Sequence, residues 1–191
     1  MKTFLELHGR NAVGGHQNLV SYQLRGHEEV STRQHNGPLL KGYVTLNLLW
    51  YGKFTPTQLS IILDFLQSLN SPKAPSPTVS SWWRTTQYYK GGPSTLDLGS
   101  QVFDENYSLG KLLKSPQMPI LATKAGSASR NGGTVINLLL TSADVAVDGF
   151  CMNRCGTHAS SATAGGKGRL AYTWVGNTAS QCPGQCGWPF H

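Results

Sequence analysis

Carboxylates are scarce in this chain. Nine Asp and Glu stand against sixteen Lys and Arg in 191 residues, which leaves a formal charge of +7. The basic residues scatter from Lys2 to Arg169 without a run or a helical stripe. Nucleic-acid footprints are clustered, so this spread argues against a nucleic-acid partner. A diffuse positive surface fits non-specific attraction to a polyanion such as an acidic polysaccharide. No stretch approaches the roughly 18 consecutive apolar residues of a membrane-spanning helix. Glu6 and His8 break up Phe4, Leu5 and Leu7, so no signal-peptide apolar region is read at the N-terminus. Nucleophile and phosphate motifs are missing as well. Gly126-Ser127-Ala128-Ser129-Arg130 fails the Gly-x-Ser-x-Gly elbow. Gly165-Gly166-Lys167-Gly168 lacks the hydroxyl residue and upstream spacing of a phosphate loop. No catalytic residue and no cofactor is assigned on this reading, and the sequence sets no oligomeric state.

What is present suits one domain with a real core. Residues 1–36 carry His8, His16, His27 and His35 amid Gly, Gln, Asn and charge, without an apolar period. They read as a poorly ordered leader, too widely spaced in histidine for a compact metal site. Ordered sequence is expected from Lys41. Residues 43–51, YVTLNLLWY, are β-branched and aromatic, as a strand requires. Thr55-Pro56-Thr57-Gln58 then reads as a capping box with proline at the first helical position. Leu59, Ile62, Leu63 and Leu66 follow at helical spacing. Pro72, Pro75 and Pro77 lead to a second helix carrying Val79, Trp82, Trp83, Thr86 and Tyr89. Residues 96–103 suggest a strand. Residues 108–125 read as helix in pieces, broken by Pro116 and Pro119. Asn131-Gly132-Gly133 is a turn before a strand at 134–141, and 170–176 is a further strand behind a loop tip at 164–168. Strands alternating with helices, then following one another, predict an α/β domain: a mixed β-sheet with flanking helices.

Four cysteines fall in two C-x₃-C spacings, Cys151/Cys155 and Cys182/Cys186. They pair in three ways, and spacing chooses none. A zinc knuckle favours C-x₂-C, yet two C-x₃-C segments would still supply four thiolates. The sequon Asn106-Tyr107-Ser108 makes Asn106 a glycosylation candidate and is compatible with secretion, which weighs toward disulfides. His158 and His191 are the remaining candidate metal ligands, although a lone histidine near a disulfide loop is usually structural. Trp82, Trp83 and Trp188 are candidate sugar-stacking residues, with core packing the commoner role for such side chains. Asp144 and Asp148 would share a face if their segment were helical; they read as a solvated face or a cap.

Several segments together resemble the plant Exordium and phosphate-induced protein family. They are GPLLKG at 37–42 running into VTLNLLWYGK at 44–53, PTVSSWW at 77–83 and YSLGK at 107–111. LTSADVAVDGFCMNRCGTH at 140–158, YTWVGN at 172–177 and QCPGQCGWPFH at 181–191 complete the series. The likeness implies an Exordium-like domain over residues 37–191 whose C-terminal part is missing. It also implies a secreted, apoplastic or wall-associated protein linked to growth and cell expansion, with a structural role for the four cysteines; the positive charge would help such a protein associate with acidic wall polysaccharide. It carries no catalytic residues. The contrasting expectations are a metallohydrolase-like or degenerate enzyme domain and a wall-polysaccharide-binding module.

Overall fold

The computed structural model describes residues 18–23, 29–34, 41–71, 76–88, 94–162 and 169–186. By contact the chain divides into Lys2–Leu39 and Leu40–His191. In the first unit, β1 (Asn18–Gln23) and β2 (Glu29–Gln34) pair antiparallel, within the stretch read above as a leader. The expected mixed sheet with flanking helices is the architecture of the second unit.

Among its inner strands is β3 (Gly42–Tyr51), buried without interruption from Val44 to Tyr51. Burial on both faces explains why that strand reads as an almost continuous apolar run. Its neighbours are β4 (Ser94–Asp104) on one side and β6 (Thr134–Thr141) on the other, both parallel to it. Next to β6 lies β9 (Arg169–Val175), also parallel, and β8 (Gly156–Ala162) closes the order antiparallel to β9. Parallel neighbours need crossovers, and helices supply two of them. Helix α1 (Pro56–Ser68) starts as expected: the Thr55 hydroxyl accepts from the Gln58 N–H at 3.2 Å, while the Gln58 amide oxygen accepts from the Thr55 N–H at 2.9 Å. Leu66 and Leu69 join Val44, Leu46, Leu48, Trp50, Leu138 and Leu140 on that face of the sheet. On the opposite face α3 (Met118–Ala125) brings Met118, Leu121, Ala122 and Ala125 against Leu49, Tyr51, Leu139, Tyr172 and Trp174.

Two sequence expectations change in detail, and a third lies outside the described residues. The second helix, α2 (Val79–Trp83), lasts five residues before tightening into a 3₁₀ turn over Arg84–Tyr88; Tyr89 lies outside the described residues. Residues 108–125 are helical only at their end. Leu112–Leu113, β5, pairs with Ala146–Val147, β7, and Pro116 and Pro119 each fall in the first turn of a helical segment. Proline has no N–H to lose there, so it starts a helix where inside one it would break it. The loop tip at 164–168 lies outside the described residues.

Inside the sheet sits a polar pair that apolar periodicity does not announce. Asn47 and Asn137 are opposite each other in β3 and β6 and both are fully buried. Asn137 donates to Ala122 O at 2.7 Å and Gly126 O at 2.8 Å, fastening the end of α3. Asn47 accepts from the Ser100 N–H at 2.9 Å, where the register between β3 and β4 shifts. Each buried amide thus has partners, as burial demands.

Candidate functional site

In an open α/β sheet, ligands favour the carboxyl ends of the parallel strands, where successive connections diverge to opposite sides. Here that point lies between β3, which connects outward to β4, and β6, which leads toward β9. The chain fills it with its own loops. The Ser142 N–H donates to Tyr51 O at 2.9 Å, and an added Cβ on Gly52, at φ +96°, would collide with the Ser142 hydroxyl. Tyr51 reaches the next loop, donating its phenol to Gly110 O at 2.8 Å and accepting from the Leu109 N–H at 2.8 Å. The phenol's burial pushes its pKa up.

Two carboxylate clusters flank this plug. Asp144 accepts from Lys111 Nζ at 2.6 Å, from the Ser142 hydroxyl at 2.6 Å and from the Tyr107 hydroxyl at 2.8 Å. The Lys111 contact contributes most to holding the Asp144 carboxyl far below the usual carboxylate range, with Ser142 and Tyr107 adding to it. The same bond holds the Lys111 ammonium above its ordinary value. Lys111 also lies 4.4 Å from the centre of the Tyr107 ring. In the second cluster Asp104 accepts from Lys124 Nζ at 3.2 Å and from the Ser108 hydroxyl and N–H. Burial pushes Asp104 up, but the Ser108 and Lys124 contacts outweigh it and hold the group below its ordinary value. Both carboxylates are therefore ionised and spoken for at neutral pH. Through these contacts each carboxylate ties neighbouring loops together.

The cysteines of the next loops complete this end of the molecule. Cys151 bonds Cys182 and Cys155 bonds Cys186, with Cα separations of 5.8 and 5.5 Å. The two C-x₃-C segments lie side by side, in register. Cys182 is buried, and Cys151 packs against the same core as Phe150 and Trp174. Cys155 and Cys186 are half-buried. Residues Cys151 and Cys186 adopt φ of +65° and +62°, left-handed turns at opposite corners of the staple.

The other candidates from the sequence do not converge. His158 is exposed on β8, and no metal-ligating group of three or more His, Cys, Asp or Glu forms among the described residues. Trp83 packs on the α1-side core and donates Nε1–H to Ser94 O at 2.8 Å, while Trp82 is half-buried beside it at a centroid distance of 6.3 Å. Trp188 and His191 lie outside the described residues. Asn106 is exposed in the turn after β4, two residues from the Ser108 hydroxyl that bonds Asp104. Asp144 and Asp148 do not share a helix; their segment is a turn followed by β7, and only Asp144 enters a cluster. Sequence reading missed Asp104, Tyr107, Ser108, Lys111, Lys124 and Ser142. The local signals were the short spacings Asp104/Ser108, Tyr107/Lys111 and Ser142/Asp144, while the contacts that join the loops cross 16 to 37 residues.

Fold and site together define a mixed α/β protein stapled by two disulfides, with its strand-end crevice closed by ion-paired loops. Residues 32–191 match the family model described as the phosphate-induced protein 1 conserved region, and the chain belongs to this Exordium and phosphate-induced protein family. It is 53% identical to Protein EXORDIUM-like 2 of Arabidopsis thaliana over 165 residues, covering 83% of this chain and 53% of that protein. It is 54% identical to Protein EXORDIUM-like 4 of the same plant over 153 residues, covering 80% and 53% respectively. Identity to Protein PHOSPHATE-INDUCED 1 of Nicotiana tabacum is 50% over 167 residues, covering 82% and 52%. The chain thus spans about half the length of these relatives. No solved structure matches it.

Proposed function

We propose that this chain is an extracellular, wall-associated plant protein that acts in growth and cell expansion without catalysing a reaction. The observation that carries the reading is the disulfide staple. Both cysteine pairs are bonded and none is free, and such bonds persist in oxidising compartments outside the cytosol. The exposed sequon residue Asn106 supports the same compartment. Excess positive charge supplies the means of association, because the wall's acidic polysaccharides are polyanions and the chain carries +7. The ion-paired state of Asp104 and Asp144 supports a non-catalytic role over a hydrolase-like one.

The test is retention on immobilised polygalacturonate, with a neutral glucan column as control. The proposal expects retention at low ionic strength and release by salt, as screening shortens the reach of surface charge. Passage straight through both columns would overturn the polysaccharide part of this reading.

A further inference from the structure

The charge of the described residues is segregated between the two ends of the parallel strands. At the carboxyl ends, Lys53, Lys111, Lys114 and Lys124 stand among Asp104, Glu105, Asp144 and Asp148, and two of these lysines are already paired. At the amino ends the balance differs. Lys41 immediately precedes β3, Arg130 lies in the turn before β6, and Arg169 opens β9, so three consecutive parallel strands each begin at an exposed cation. By alternation Lys41, Tyr43 and Thr45 share the α3 face with Leu49 and Tyr51, whereas Arg169, next to Leu170, lies on the opposite face. One carboxylate, Asp97, is found there among the described residues; it is half-buried and accepts from the Asn131 amide at 2.7 Å.

Two of these cations are also held in place. The Arg130 N–H donates to the Thr45 hydroxyl at 2.9 Å, which fixes its turn against β3. Arg169 is braced by the Ser160 hydroxyl, which accepts from Nε at 3.0 Å. Tyr43, two residues from Lys41, is 58% exposed although it belongs to an inner strand. Exposed aromatic rings beside cations suit a ligand with both an apolar ring face and a negative charge. An acidic sugar polymer offers both in every residue.

We infer that the amino-terminal rim of the sheet on its α3 face, centred on Lys41, Tyr43 and Arg130, is the binding site for a polyuronate chain. This rests on the proposed association with acidic wall polysaccharide and assigns it to one face. The cations meet the carboxylates, and the Tyr43 ring stacks on a pyranose face.

The experiment compares two variants that each lose two exposed positive charges: Lys41→Gln/Arg130→Gln at this rim and Lys53→Gln/Lys114→Gln at the other. Binding of polygalacturonate is measured by calorimetry at fixed, moderate salt, after circular dichroism and urea unfolding confirm wild-type folding. The rim variant should lose about tenfold in affinity and the control less than about twofold, since a steering charge outside the site acts only weakly. Tyr43→Ala should weaken polygalacturonate binding while leaving binding of the sugar-free polyanion polyglutamate unchanged. Equal losses in the two double variants would overturn the rim and leave diffuse attraction standing. Failure of the wild-type protein to bind would overturn both. Tighter binding of single-stranded DNA than of polygalacturonate at the same salt would replace a sugar site with a nucleic-acid one.

Discussion

The two disulfides are geometrically coupled, and their removal should not be additive. Each joins residues 31 apart, so either bond alone restricts the unfolded chain by about 3.7 kcal/mol in the chain-entropy account. Once one bond exists, the other closes only a small ring of about ten residues and contributes about 2.7 kcal/mol. Cys155→Ala/Cys186→Ala should therefore cost about 2.7 kcal/mol, because the inner bond still holds the long loop. Cys151→Ala/Cys182→Ala should cost roughly 1 kcal/mol more, because it also removes sulfur from the core beside Phe150 and Trp174. Removing all four cysteines should cost about 1 kcal/mol more than the two losses together, since the last bond to go controls the long loop. Urea unfolding at neutral pH, followed by tryptophan fluorescence, measures all four proteins. Strict additivity would refute the shared-loop reasoning. An outer pair as costly as the inner one would refute the burial reasoning.

Further outcomes follow from the strand-end cluster. Gly52→Ala forces a side chain into the Ser142 hydroxyl at a φ of +96°, and should cost about 2 kcal/mol or more in urea unfolding; paired with Ser142→Ala it should recover part of that loss. Asp144 is held far below its ordinary pKa of 3.8, so the stability it contributes is complete above that value and is lost only as pH falls on through the lowered folded-state pKa. Asp144→Asn should therefore lower the urea midpoint at pH 7 and still lower it at pH 3, with exposure of the pair keeping the effect modest. Asn106→Gln should abolish any endoglycosidase-sensitive mass on chain secreted from plant cells; unchanged glycan mass would place the modification elsewhere.

The parts legible in the sequence were those decided by neighbours along the chain. Thr55, Pro56 and Gln58 fix the start of α1 within four residues, and the run from Tyr43 to Tyr51 marks a strand buried on both faces. Cysteine pairing was not legible, because two identical spacings leave the alternatives equal until the segments are laid side by side. The Asp144 spacing misled for a related reason. A gap of four residues suggests a helix face, but Ser142 turns the chain onto Tyr51 and hands Asp144 to Lys111 and Tyr107 instead. Trp83 and Trp82, alike in sequence, separate only when Ser94 takes the Trp83 indole N–H. Sheet order decides all of these, and no local pattern encodes it.

One experiment separates an oxidised wall protein from a reduced cytosolic one. The chain is expressed in plant tissue, cytosolic and salt-washed wall fractions are separated with thiols blocked at lysis, and non-reduced peptides are mapped by mass spectrometry. The protein is expected in the wall wash, with Cys151 linked to Cys182 and Cys155 to Cys186. Recovery from the cytosol with four alkylated thiols would contradict this expectation.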